Sequence, residues 1–309
     1  MRRKNAKNKM IAACLALLFG QAALFLPFLC GCAAEEPENA AAEKQDVQDA
    51  PQEKRERLAC LYADPVREDA FARNAQADAR CRDAQAVLLP HYANALYLAC
   101  NALSGIEREI DLVVLIGPNH SGRGDALQVC GADWYWDTGN MAGDAQAADT
   151  IAAYAGGTLT STEIAEDWSV QTLVPYAARY FPSAQVVTVL LSRGAEISVL
   201  SKLAKAVSVL GEDRKVLLLA SADFSHYLTP NDAEAHDART MALIENGEES
   251  TILTLDNGYI DSPETLVTAM LFAENQGQKL TKLDGLFETF YENGTQKAGS
   301  YYAFAGVEE

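Results

Sequence analysis

From residue 58 onward, short apolar runs alternate with longer stretches whose apolar positions recur every three or four residues. The runs cover 86–89, 111–116, 184–191 and 215–220. They are rich in Val, Leu and Ile and show little polar alternation. Strands covered on both faces of a parallel sheet have that pattern. The longer stretches predict helices over 93–103, 145–155, 170–180, 196–210, 232–245 and 263–276, with 300–307 as a closing strand. This order predicts one α/β domain over 58–309, with a mostly parallel central sheet flanked by helices.

The first 57 residues follow a different pattern. Arg2, Arg3, Lys4, Lys7 and Lys9 precede a nearly unbroken apolar run from Met10 to Leu29. A basic start followed by an apolar run is a secretory signal, not part of the fold. Leu29-Cys30-Gly31-Cys32 then looks like a bacterial lipobox, with Cys32 as the lipidated residue that begins the mature chain. About 20 apolar residues would also suffice for an uncleaved membrane anchor; Gln21 and Pro27 argue against that alternative. Residues 1–31 are therefore expected to be a lipoprotein signal peptide, and residues 32–57 an acidic tether with little to bury. Either alternative puts the domain outside the cytoplasm, anchored to the bacterial cell membrane.

Charge narrows the partners. A net charge of −18 excludes a nucleic-acid binder, which needs a basic face for phosphates. Losing residues 1–31 removes five positive charges and no acids, so the mature chain is more acidic still. Most of these carboxylates form a solvated surface. Beyond Cys32, the cysteines are Cys60, Cys81, Cys100 and Cys130. None has metal-ligand spacing, which leaves disulfides, with three possible pairings, or buried thiols.

Three of the four histidines follow predicted strands. His91 comes after Ala-Val-Leu-Leu-Pro, His120 after a strand ending in Gly-Pro-Asn, and His226 after a strand followed by Ser-Ala-Asp-Phe-Ser. Ligands of open α/β sheets bind beyond the carboxyl ends of the strands. Imidazoles gathered there suit Fe, Cu, Zn or Ni. His236 lies in a polar helical stretch and is expected on the surface. The loop Gly-Pro-Asn-His-Ser-Gly-Arg-Gly lacks the spacing and lysine of a phosphate cradle. Its glycines are expected to let the chain turn tightly.

The motifs also carry a resemblance. Pro-His-Tyr-Ala at 90–93, Gly-Pro-Asn-His at 117–120 and Ser-Ala-Asp-Phe-Ser-His-Tyr at 221–227 resemble the Memo family, whose bacterial members are called AmmeMemoRadiSam system protein B. Asp-Trp-Ser-Val-Gln-Thr-Leu-Val-Pro-Tyr at 167–176 resembles that family's Glu-His-Ser motif and the Leu-Pro-Phe after it. The resemblance implies the fold of class III extradiol dioxygenases, which are non-haem iron enzymes. It implies His91 and His120 as metal ligands, His226 as a nearby pocket histidine that handles protons, and Asp223 as a pocket aspartate beside it.

Two departures stand out. Asp261 occupies the position of the family's ligand cysteine, and Trp168 that of the motif histidine. Asp261 has two readings. With His91 and His120 it would complete a two-histidine, one-carboxylate face suited to Fe(II). Otherwise it would cap the helix that starts near Pro263, unless Ser262 does so. Trp168 cannot ligate a metal or carry a proton; it would narrow the pocket or offer a stacking face. The leading expectation is a mononuclear metalloprotein, Fe(II) first with Cu or Zn as alternatives, acting as a dioxygenase-like redox enzyme on a small organic substrate. A metal-handling lipoprotein without turnover and a zinc hydrolase are the alternatives. A cytosolic radical enzyme, suggested by the family name, is discounted for a chain outside the membrane.

Overall fold

The apolar runs become strands because their side chains are covered on both sides. A computed structural model describes residues 55–308, all within one compact unit. The chain begins with β1 (Arg57–Ala59), α1 (Pro65–Arg73), β2 (Ala86–Leu89), α2 (Tyr97–Ser104) and β3 (Leu112–Pro118). It continues through β4 (Leu127–Cys130), β5 (Asp133–Trp136), β6 (Gly139–Met141), α3 (Ala145–Ala155) and β7 (Thr158–Leu159). Next come α4 (Trp168–Gln171), α5 (Val174–Tyr180), β8 (Gln185–Leu191), α6 (Ile197–Leu210) and β9 (Val216–Ser221). The last elements are α7 (Pro230–Asn246), α8 (Glu249–Ile252), α9 (Pro263–Asn275), β10 (Gln278–Glu292) and β11 (Thr295–Glu308).

Eight strands form the main sheet in the order β10-β11-β2-β9-β3-β8-β4-β7. The four predicted runs are its centre, where β2, β9, β3 and β8 are parallel neighbours. The joins β11–β2, β10–β11 and β4–β8 are antiparallel and β4–β7 is parallel, so the sheet is mostly parallel as expected, with its antiparallel joins confined to the flanks. A second sheet joins β1, β5 and β6.

Alternate residues of each central strand face opposite cores. Leu112, Val114 and Ile116 pack with residues of α3, α6 and α9, while Val113 and Leu115 pack with residues of α2 and α5. Burying each such side chain fully contributes about 1.5–3 kcal/mol, which is why these strands lack polar alternation.

Helix ends follow their signals. Asp144 accepts a hydrogen bond from Ala147 N at 2.9 Å to start α3, and Gly156 ends it in the left-handed region. The predicted 170–180 helix is in fact two helices, α4 and α5. The 93–103 stretch opens as a 3-10 turn, Ala93–Ala95, before α2. The closing strand is longer than expected because it pairs with β10 in a hairpin. Asn293 (φ 50°) and Gly294 (φ 78°) make its two-residue turn.

Cys60, Cys81, Cys100 and Cys130 are free and buried, which decides for thiols over disulfides. Burial pushes Cys60 and Cys81 up to about 12. His236 is not the surface residue expected. It is half-buried, stacked on Tyr259 at 3.7 Å with Nδ1 against Gly258 O. Among the described residues no helix is long and apolar enough to cross a membrane. The expected signal peptide, Cys32 and the tether as far as residue 54 lie outside the described residues.

Candidate metal centre

The carboxyl ends of the parallel strands bring distant residues together. His91 follows β2, His120 follows β3, and Asp223 and His226 follow β9. Asp261 arrives from the loop before α9. One ligand atom each from His91, His120 and Asp261 lies within 4.8 Å of the others. His91 Nε2 is 3.3 Å from Asp261 Oδ2, and His120 Nε2 is 4.0 Å from the same oxygen. Two donors bound to one ion span at most roughly 4.2 Å, so both distances suit a shared ion.

Hydrogen bonds decide which ring nitrogens face inward. Ser221 Oγ donates to Ser169 O at 2.9 Å, so toward His91 Nδ1, 3.0 Å away, it can only accept. Nδ1 of His91 therefore carries the proton and Nε2 keeps its lone pair. His120 Nδ1 lies 3.1 Å from Asp167 Oδ1, which assigns it the same tautomer. Both imidazoles thus present bare Nε2 atoms toward Asp261, each held from behind as metal-binding histidines are.

Asp167 is itself held. It accepts from His120 N at 2.9 Å and from Ser169 Oγ at 2.6 Å. Burial alone would raise its pKa, but the bonds from His120 and Ser169 hold it below the ordinary carboxylate range. Gly117 makes this approach feasible: a Cβ there would lie 2.6 Å from Ser169 Oγ. Gly122 and Gly124 adopt left-handed φ values of 61° and 77° in the loop after His120, the tight turn expected of them.

Asp261 is free of the helix cap, because Ser262 takes that role by accepting from Thr265 N at 3.2 Å. Asp261 Oδ1 accepts from Asp223 N at 3.1 Å, which leaves Oδ2 for the imidazoles. Asp223 Oδ1 accepts from His91 N at 3.0 Å, and its Oδ2 lies 3.6 Å from His91 Nε2. Asp223 therefore braces the backbone of His91 and stands outside the three-donor cluster. Burial lifts Asp223 to about 6; burial and then Asp223 lift Asp261 well above the carboxylate range. Burial, reinforced by His120, pulls His91 down to about 3. A neutral His91 beside two acids that resist ionisation fits a site whose buried donors lack a counter-charge.

His226 stands at the margin. Its Nδ1 donates to Phe224 O at 2.7 Å, and Nε2 lies 3.4 Å from Asn257 Nδ2. It is close enough for its charge to bear on His91 and Asp223. Trp168 stacks on the His120 ring at 3.9 Å, the second of the two roles expected of it. The supporting roles of Asp167, Ser169 and Ser221 were not read from the sequence. The signal for them was present: an acid or hydroxyl lies inside each of the two motifs that carry those residues.

A profile of the Memo-like protein family matches residues 64–283. A MEMO1 family protein of Methanobrevibacter smithii is 29% identical over 149 residues, 46% of this chain and 52% of that protein. One of Caldivirga maquilingensis is 27% identical over 214 residues, 64% of this chain and 73% of that protein. One of Pyrobaculum aerophilum is 30% identical over 171 residues, 50% and 53% of the two chains. The chain thus spans about half the length of the first and third of these relatives. A solved structure of an uncharacterized Escherichia coli K12 protein is a looser likeness, with TM-score 0.45 at 13% identity over 70% of this chain and 98% of that one. The profile match contains all five residues gathered at the sheet edge, and the chain belongs to the Memo-like family.

Proposed function

We propose that this protein is a metalloprotein in which His91, His120 and Asp261 hold one divalent transition metal, with Fe(II) as the first choice. One observation carries the reading: two tautomer-locked imidazoles aim bare Nε2 atoms at one carboxylate oxygen. Two neutral nitrogens and one carboxylate suit Fe(II) and leave positions open for small ligands; Zn or Cu would also accept the donors. Asp261 in place of a thiolate makes the donor set harder and removes an oxidisable group.

A bound metal would supply Lewis acidity and redox capacity. Around it, Asp167 and Ser221 hold the two imidazoles in place, and Asp223 braces His91. His226, with Nδ1 satisfied by Phe224 O, offers Nε2 as a proton carrier at the rim. This arrangement supports a redox enzyme acting on a small organic substrate. Trp168 favours a second reading, metal handling without turnover, because it replaces a proton-carrying side chain by an indole that stacks on a ligand. We place the domain outside the cytoplasm on a lipid attached to Cys32, from the signal-like first 31 residues.

The deciding experiment is anaerobic purification followed by elemental analysis. About one equivalent of iron, with oxygen uptake on catechol-like substrates, supports the enzyme. Metal without turnover supports the second reading, and no metal after reconstitution sinks both. Fatty-acid labelling that survives Cys32→Ala would remove the anchor.

A further inference from the structure

Asp261 lies in a loop rather than on a strand, so something must hold it as firmly as the sheet holds the histidines. The turn that follows β8 does this. Arg193 Nη1 donates to Leu255 O at 2.9 Å, and Nη2 donates to Ile260 O at 3.1 Å and Asp261 O at 3.0 Å. A planar guanidinium with several fixed donors can gather three carbonyls in this way; an ammonium on a flexible stem cannot copy the fork. The next residue, Gly194, in the left-handed region at φ 87°, donates its N–H to buried Glu264 Oε1 at 2.7 Å. One turn therefore grips the loop before α9 and the first turn of α9 itself.

The consequence falls on one side chain. Asp261 O is taken by Arg193, Asp261 N donates to Asp223 O at 3.0 Å, and Oδ1 accepts from Asp223 N. With the backbone pinned on both sides and one carboxylate oxygen committed, Oδ2 has one direction left, toward His91 and His120.

We propose that Arg193 is a positioning residue of the metal centre, holding the 255–261 loop so that Asp261 Oδ2 meets the two imidazoles. The inference rests on the metal reading above. It assigns a role to a residue far from the ligands in sequence and outside every motif that marked the site. Arg193 hydrogen-bonds backbone carbonyls and would not touch the ion, while its charge also draws Asp261 toward ionisation.

The test is Co(II) titration of the full-length protein, followed by calorimetry and by the visible absorption of bound cobalt. Wild type is compared with Arg193→Met, Arg193→Lys, Asp261→Asn and the Arg193→Met/Asp261→Asn double variant, with thermal unfolding of each metal-free protein alongside. The expected result is an affinity loss of about tenfold or more and an altered cobalt spectrum in Arg193→Met, in line with the loss of other residues that orient metal ligands. Arg193→Lys recovers part of the affinity. In the Asp261→Asn background the Arg193 change has no further effect on affinity, because both act through one carboxylate. Wild-type affinity and spectrum in Arg193→Met overturn the proposal, as do losses that simply add in the double variant. If Arg193→Met does not fold, wild-type binding by Arg193→Lys with an unchanged spectrum overturns it instead. Wild type that takes up no cobalt overturns the metal reading itself, and this one with it.

Discussion

Two polar regions lie at opposite ends of the parallel strands, and the one that lines a large cavity is chemically the quieter. The cavity near the amino ends of β8 and β9 has a volume of about 950 Å³ and is lined by Arg55, Cys130, Asp144, Gln185 and Arg214 among others. Its two arginines have acidic partners. Arg214 pairs with Asp144 at 2.5 Å, Asp144 also caps α3, and Arg55 lies 3.9 Å from Asp133. At the carboxyl ends, two acids and two imidazoles sit together, and Arg193, the nearby cation, spends its hydrogen bonds on carbonyls. The lesson is that volume does not locate chemistry. A buried set of donors without a counter-charge does, because its acids resist ionisation until something positive completes the set.

The comparison breaks most sharply on metal content. His91→Ala combined with His120→Ala should take the metal from about one equivalent to none, while Arg214→Met leaves it unchanged. Metal retained in the first, or lost in the second, would reverse the assignment of the two regions. A smaller effect is expected from Asp167→Asn. It frees the His120 tautomer and should weaken metal binding roughly 10- to 100-fold in a calorimetric titration.

The pH dependence sharpens the same contrast. In the metal-free protein Asp223 sits near 6 and Asp261 higher than an ordinary carboxylate, so a cation must displace protons from the pair. Metal affinity should therefore rise as pH passes upward through about 6, with proton release seen as a buffer-dependent heat. Stability of the metal-free protein should respond less. A raised Asp223 contributes stability below about 4 that is lost as pH climbs toward about 6. His91, lowered from 6.5 to about 3, works the other way: it destabilises at low pH, and that penalty is relieved as pH rises from about 3 to 6.5.

The smallest effects belong to the large cleft. Arg214→Met should cost about 1–2 kcal/mol in denaturant unfolding, since it strips a charged hydrogen bond from a buried acid. Cys130 lines that cleft, yet burial pushes its thiol up to about 11. It should resist alkylation at pH 8 in the native protein and react only after unfolding. Fast labelling of Cys130 would mean that this cleft, too, is chemically open.

Much of the molecule was legible in the sequence where one element suffices to decide a feature. The β2, β3, β8 and β9 runs read correctly because strands buried on both faces have no polar alternation to confuse the pattern. Helix 145–155 read to the residue because Asp144 and Gly156 mark its ends. The β10–β11 hairpin did not read, although Asn293-Gly294 is a strong turn signal, because the polar-apolar mixture of β10 hid its strand character. The histidines and Asp261 were legible from motifs. The tautomer locks from Ser221 and Asp167, and the clamp from Arg193, were not, since each joins segments that are neighbours only after folding. His236 misread for the same reason: Tyr259, the ring it stacks on, comes from a separate loop.

Trp168 also makes the site optically visible. The chain has three tryptophans, and Trp134 and Trp136 both belong to the separate three-stranded sheet. Trp168 lies in van der Waals contact with a ring that would bind the ion, so its emission should report the occupant directly. A quenching ion bound to His120 would dim that one indole and leave the other two as an internal reference. Trp168 would thus serve as the protein's own fluorescent gauge of loading.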